Sequence, residues 1–139
     1  MTDAPGSTYT SDGIPTVLAW DEGFDERSLA GPEGADVDAV IAALNGLDRT
    51  LVTIYRGEAH LAVGGSARSG LVVYCTFDNQ SFWELVNDGE DETAVTVVAG
   101  GQPGSYRATR VVPLGLAEAA AGYFLERGGR EPGHRWEAR

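Results

Sequence analysis

Val112-Pro113-Leu114, a run of small residues, Tyr123-Phe124-Leu125, then Gly128-Gly129-Arg130-Glu131-Pro132 and Trp136 make up the last part of the sequence. This stretch reads as a helix with a marked start and stop, followed by one short segment. Pro113 suits a first helical position, where no amide donor is needed. Leu116, Ala120, Tyr123, Phe124 and Arg127 follow helical spacing. Gly128-Gly129 supplies the stop, and Pro132 prevents a restart. His134 to Glu137 is then expected to add an edge strand or to pack Trp136 on the core.

Upstream, the pattern turns to strands. Thr50 to Arg56 alternates, with Leu51, Thr53 and Tyr55 on one face and Val52 and Ile54 on the other. Gly57 marks a tight turn into Glu58 to Val63, and Gly64 to Gly70 reads as a flexible hairpin loop. Leu71 to Phe77 is apolar on both faces, as a strand inside a sheet would be. Asp78-Asn79-Gln80 reads as a turn, Ser81 to Val86 as a short strand and Asn87 to Glu92 as an acidic turn. Thr93 to Ala99 and Ser105 to Val112 form a hairpin around Gly100 to Gly104. Ile14 to Trp20 is a first strand and Asp21 to Gly34 a long acidic loop. Asp36 is the expected N-cap of a helix in which Val37, Val40, Ile41, Leu44 and Leu47 recur on one face. Asn45-Gly46 suggests the stop of that helix. Residues 1–13 read as a disordered tail. Hairpin-linked strands flanked by single helices argue an α+β fold, a mostly antiparallel sheet flanked by two helices, in a single domain over residues 14–139.

The chain has 139 residues, 21 acidic and 10 basic, for a formal net charge of −11. All of the basic residues are arginine. Such acidity disfavours nucleic acid and anionic membranes as partners and favours a basic protein by steering encounter. No apolar run approaches the ~20 residues of a membrane span, and the first residues lack a signal-peptide pattern. A cytoplasmic location is therefore expected. Cys75 is the only cysteine, within Leu71-Val72-Val73-Tyr74-Cys75, and reads as a buried structural thiol.

Motifs for chemistry are weak. Gly64-Gly65-Ser66-Ala67-Arg68-Ser69-Gly70 resembles a phosphate loop in composition. It lacks the Gly-Lys-Ser/Thr ending, and a strand rather than a helix follows it. His60 and His134 have no neighbours at metal-ligand spacing, so neither a metal nor another cofactor is expected. No constellation supports catalysis, and an enzyme is not expected. Two stretches instead combine carboxylates with aromatic residues. Phe82 and Trp83 precede Asp88, Glu90, Asp91 and Glu92. Asp21, Glu22, Asp25 and Glu26 flank Phe24. Aromatic anchors beside a charged rim are common at protein interfaces.

From Val37 to Trp136 the chain resembles the first-numbered immunity protein family of bacterial polymorphic toxin systems. The resemblance rests on the early helix Val37 to Leu44 and the strands Leu51 to Tyr55 and Ala59 to Gly64. It continues through Gly70 to Tyr74, a segment with Trp83, and Val112-Pro113-Leu114 leading into a helix that closes on Tyr123-Phe124-Leu125. Arg130-Glu131-Pro132 before Trp136 completes it. It implies a cytoplasmic antitoxin that binds a cognate toxin domain, often a nucleic-acid deaminase or nuclease with a basic active-site cleft, and occludes it. The free protein is expected to be a monomer. The charge pattern makes Asp88, Glu90, Asp91 and Glu92, with Phe82 and Trp83 as anchors, the first candidate toxin-binding residues. Asp21, Glu22 and Asp25 are the second. A small-molecule or peptide sensor on the same scaffold is the alternative, favoured by a concave sheet face lined by Tyr55, Tyr74 and Tyr106.

Overall fold

A computed structural model describes residues 13–139; apart from Gly13, the expectation of a disordered tail lies outside the described residues. Seven strands form one antiparallel sheet: β1 (Thr16–Glu22), β2 (Asp25–Ala30), β3 (Leu51–Arg56), β4 (Ala59–Ser66), β5 (Gly70–Thr76), β6 (Phe82–Val86) and a last strand at Arg135–Ala138, numbered β9. Between β6 and β9 come a separate hairpin, β7 (Ala94–Ala99) with β8 (Gln102–Arg107), and the helix α2 (Leu114–Arg127). The helix α1 (Gly34–Ala42) lies between β2 and β3. Across the sheet the order is β2-β1-β3-β4-β5-β6-β9. The expected α+β fold, with its mostly antiparallel sheet and two helices, is the fold observed.

Cross-strand register separates the two faces, because paired residues share a side. Leu18, Val52, Ile54, Leu61, Val63, Leu71, Val73, Cys75 and Leu85 point to one side, where α1 and α2 cover them with Val37, Ile41, Ala117, Ala120, Ala121 and Phe124. Val52 and Ile54 thus face the helices while Leu51, Thr53 and Tyr55 face away, as the alternation predicts. Burial on the helix side pushes the Cys75 thiol up to about 11.

The structure corrects several local expectations. Asp21 to Gly34 is not a long loop, since Asp25–Ala30 pairs with β1 through a hairpin whose first turn residue is Gly23 at φ 65°. β2 is an edge strand whose first four residues are exposed, so it carries little of the apolar signal that marks a strand. The N-cap of α1 is Glu33 rather than Asp36. Asp36 is the third helical residue and completes a capping box by accepting from the Glu33 amide at 2.9 Å. Leu47 lies beyond α1 in a turn built on Asn45 and is 85% exposed. Gly64, Gly65 and Ser66 belong to β4, so the loop before β5 is shorter than the glycines suggest. Finally, the hairpin turns at Gly100-Gly101, both at positive φ, and β8 ends at Arg107, where a 3₁₀ turn (Ala108–Arg110) takes over.

At the end of the chain Pro113 is the cap residue and Leu114 the first in α2, one position later than expected. Gly128 takes the left-handed conformation at φ 73° and donates to the Phe124 carbonyl at 2.8 Å. The Arg56 guanidinium lies where a Gly128 Cβ would be. Trp136 packs against the core from β9 and donates to the Glu131 carbonyl at 3.0 Å.

One carboxylate joins three elements. Asp21, at the end of β1, accepts from the Thr50 amide at 2.7 Å, the Leu51 amide at 2.9 Å and the Thr50 hydroxyl. The Thr50 oxygen in turn accepts from the Gly101 amide at 2.9 Å, which ties down the tip of the β7–β8 hairpin.

Asp21→Ala is expected to leave the amides of Thr50 and Leu51 without their acceptor and to lower stability by about 2–3 kcal/mol in urea unfolding. Gly128→Ala is expected to cost about 2 kcal/mol, because it forces αL on a residue with a Cβ and displaces Arg56. Cys75 should resist an aromatic disulfide reagent near pH ~8 in the folded state and react in denaturant. Rapid labelling of the native protein would contradict its placement.

Candidate functional site

The face of the sheet away from the helices is covered only in part. Gly64 and Gly65 have no side chains because the β7–β8 hairpin crosses there. A Cβ at Gly64 would lie 2.5 Å from Ala99 Cβ, and one at Gly65 would lie 2.9 Å from Val97 Cγ1. Tyr106 of β8, with Arg110 and Arg139, closes over Val72 and Tyr74 and leaves a cavity of about 50 Å³.

Next to the hairpin a row of rings crosses the open face from β3 to β6. Tyr55 and His60 lie 5.7 Å apart, His60 and Tyr74 5.7 Å, and Tyr74 and Phe82 6.0 Å, between centroids. Partial burial among these rings lowers the His60 pKa and raises that of Tyr74. Arg139 lies over the Tyr74 ring at 4.9 Å and donates to Glu84 at 2.8 Å. Cys75 faces the helices and His60 the open side, so the sheet separates the two.

Between the β1–β2 turn and the tip of the β7–β8 hairpin the same face forms an open groove of about 830 Å³. Its floor is Ala19, Leu51, Thr53 and Tyr55. One wall is Phe24, Asp25 and Glu26 with Leu47 and Asp48; the other is Gly100, Gly101 and Gln102. The Gly23 amide donates to the Asp48 carbonyl at 2.7 Å and holds the first wall together. Four carboxylates line the groove (Asp21, Asp25, Glu26 and Asp48), and no arginine or histidine does. The Asn45 side-chain amide, 2.7 Å away, holds the Asp48 carboxyl below its ordinary range.

The residues singled out by sequence are divided by this geometry. Asp21 is spent on Thr50 and Leu51. Glu22 accepts from the Trp20 indole at 3.1 Å and pairs with Arg27 and Arg49; these contacts, the indole first, lower its pKa. Asp25 is exposed on the groove wall. Phe82 belongs to the ring row, whereas Trp83 packs toward the helix side beneath the Arg130 guanidinium, 3.8 Å from its ring. Asp88, Glu90, Asp91 and Glu92 follow β6 at its far end from Phe82, so aromatics and carboxylates there are not one patch. That loop is anchored by the Asn87 side-chain amide, which donates to the carbonyls of Ala108 and Val111 at 2.8 and 2.9 Å. The Thr93 amide and hydroxyl lower the Asp91 pKa, and Glu92 lies 3.6 Å from Arg107. Three strands, β3 to β5, separate this loop from the β1–β2 turn.

Sequence reasoning missed the groove. Its glycine tip and the Leu47 turn are remote in sequence from Asp25, and only Phe24 among the acids hinted at it.

Among the described residues no group of three or more metal-ligating side chains gathers, and no helix is long and apolar enough to cross a membrane. No curated protein and no solved structure matches the chain. The family model described as Immunity protein Imm1 does match, over residues 25–138, from the first residue of β2 to the last strand. The chain belongs to the Imm1 immunity protein family.

Proposed function

We propose that the protein is the cytoplasmic immunity partner of a toxin domain, an acidic plug for a basic cleft, and that it acts by binding, without catalysis of its own. The cognate toxin is a nucleic-acid-targeting deaminase or nuclease. Enzymes that grip nucleic acid present basic clefts, and a chain carrying a net charge of −11 would be steered into one and compete with the substrate. The observation that carries this reading is the family match over residues 25–138. The free protein is a monomer in this account, with its open sheet face turned to the toxin.

Both acidic stretches contribute to the interface in this reading. Asp88 and Glu90 have no side-chain partner among the described residues and form a rim. Asp91 and Glu92 hold the shape of that rim, and Phe82 adds an apolar contact at the other end of the ring row. Trp83, lying under Arg130, supports β6 rather than touching the toxin first. Glu22 supports the β1–β2 turn through its arginine pairs, and Asp21 fixes the groove behind it. Of the three tyrosines of the sensor alternative, Tyr55 lines the open acidic groove, whereas Tyr74 and Tyr106 enclose little space. The cavity between them is about 50 Å³, whereas small-molecule sites usually span roughly 300–1,000 Å³.

Co-expression with the adjacent upstream open reading frame, the expected source of the toxin, tests the reading. Cells carrying both genes should survive, and a complex should co-purify. Toxicity that this protein does not relieve would contradict it. Within the complex, Asp88→Lys with Glu90→Lys should slow association roughly tenfold at low salt and leave dissociation nearly unchanged, as rim charges do.

A further inference from the structure

The groove beside the β1–β2 turn gathers carboxylates and exposed apolar side chains around one concavity. Glu22 pairs with Arg27 and Arg49, Glu84 with Arg110 and Arg139, Glu92 with Arg107 and Glu137 with Arg110, while Asp88 and Glu90 stand without a side-chain partner among the described residues. Inside the groove the hydrogen bonds come from neutral donors, with the Arg49 charge near Asp48. Asp21 accepts from two amides and a hydroxyl, and Asp48 from the Asn45 amide. Asp25 and Glu26 have no side-chain partner among the described residues. The groove is therefore lined by four carboxylates, none in an ion pair, and two of them, Asp25 and Glu26, are left for a partner.

Its rim is apolar. Phe24 and Leu47 are 111% and 85% exposed, the most exposed large hydrophobic side chains among the described residues, and Tyr55 at 44% lies on the floor. Exposed apolar groups concentrated around one concavity mark an interaction site more strongly than the same groups scattered singly. Carboxylates and exposed apolar groups side by side on one wall match a long cationic side chain. Its methylenes cover Phe24 and Leu47, and its charged head reaches Asp25, Glu26 and Asp48. Arginine fits better than lysine, because its planar fork pairs with two carboxylate oxygens and stacks on a ring such as Tyr55. The Gly100-Gly101 tip presents no side chain to block a backbone that enters between the walls.

We propose that this groove is the seat of an arginine-bearing segment of the partner protein, gripped by Asp25, Glu26 and Asp48 and flanked by Phe24 and Leu47. The proposal rests on the immunity reading and specifies which part of the surface does the gripping.

The test uses the full chain and the toxin domain expected from the adjacent upstream open reading frame, with affinity measured by biolayer interferometry at two salt concentrations. Three variants are compared with the unaltered chain: Asp25→Lys with Glu26→Lys, Phe24→Ala with Leu47→Ala, and a charge-matched control on the helix layer, Asp38→Lys with Glu126→Lys. All of these side chains are exposed, and thermal melts check that each variant stays folded. The expected result is a loss of roughly 100-fold or more for both groove variants and less than about threefold for the control. Groove variants that bind like the unaltered chain would overturn the proposal and leave the immunity reading standing. Equal losses in the groove and control charge variants would also overturn it, since net charge alone would then explain the attraction. An unaltered chain that neither rescues cells nor binds the toxin would overturn both.

Discussion

The arrangement of the open face depends on the Asp21 carboxylate. It sits where β1 ends, accepts from the first two amides of the β3 segment, and holds the Thr50 hydroxyl whose oxygen accepts from Gly101. That chain of bonds links the start of β3 to the tip of the β7–β8 hairpin, next to the packing of β7 over Gly64 and Gly65. Charge-assisted hydrogen bonds of this kind are worth more than neutral ones, and leaving such donors unpaired is costly. The groove exists because this network sets its floor against both walls. A side chain that looks like a surface acid in the sequence therefore serves as a fastening.

The sheet uses its two faces differently. One is closed by α1 and α2 over a core of aliphatic residues and Phe124. The other receives only a two-stranded hairpin, and Gly64 and Gly65 let that hairpin approach closely. What remains open is a row of rings that leads into an acidic groove, sharing Tyr55. Half-buried aromatics next to carboxylates that make no ion pair suit a partner that brings cations and long side chains. The helix-covered face offers no such combination.

Much of the architecture could be read from the sequence because its periodicities are strong. The alternation in Thr50 to Arg56, the apolar run of β5 and the bounded helix from Leu114 to Gly128 each carry their own signal. β2 could not be read because an edge strand touches the core with only its last residues, and its charged start mimics a loop. Asp36 looked like a cap because this capping box has carboxylates at both ends, Glu33 and Asp36, and the sequence does not distinguish the two. The glycines of β4 suggested a loop, since the element they accommodate, β7, is some thirty residues away in the chain. The candidate site was legible only in part. Acidity and Phe24 were visible, but which acids are already engaged depends on partners such as Thr50, Asn45 and Arg49, which sequence proximity does not reveal.

The central claim is that the partner binds the open face at the groove. Hydrogen–deuterium exchange of the chain, alone and in its complex with the toxin, tests it most directly. Exchange should slow at the β1–β2 turn, in the turn around Leu47 and at the Gly100-Gly101 tip, with α1 and α2 unchanged. Protection confined to the helix layer, with those three turns exchanging as fast as in the free protein, would contradict it.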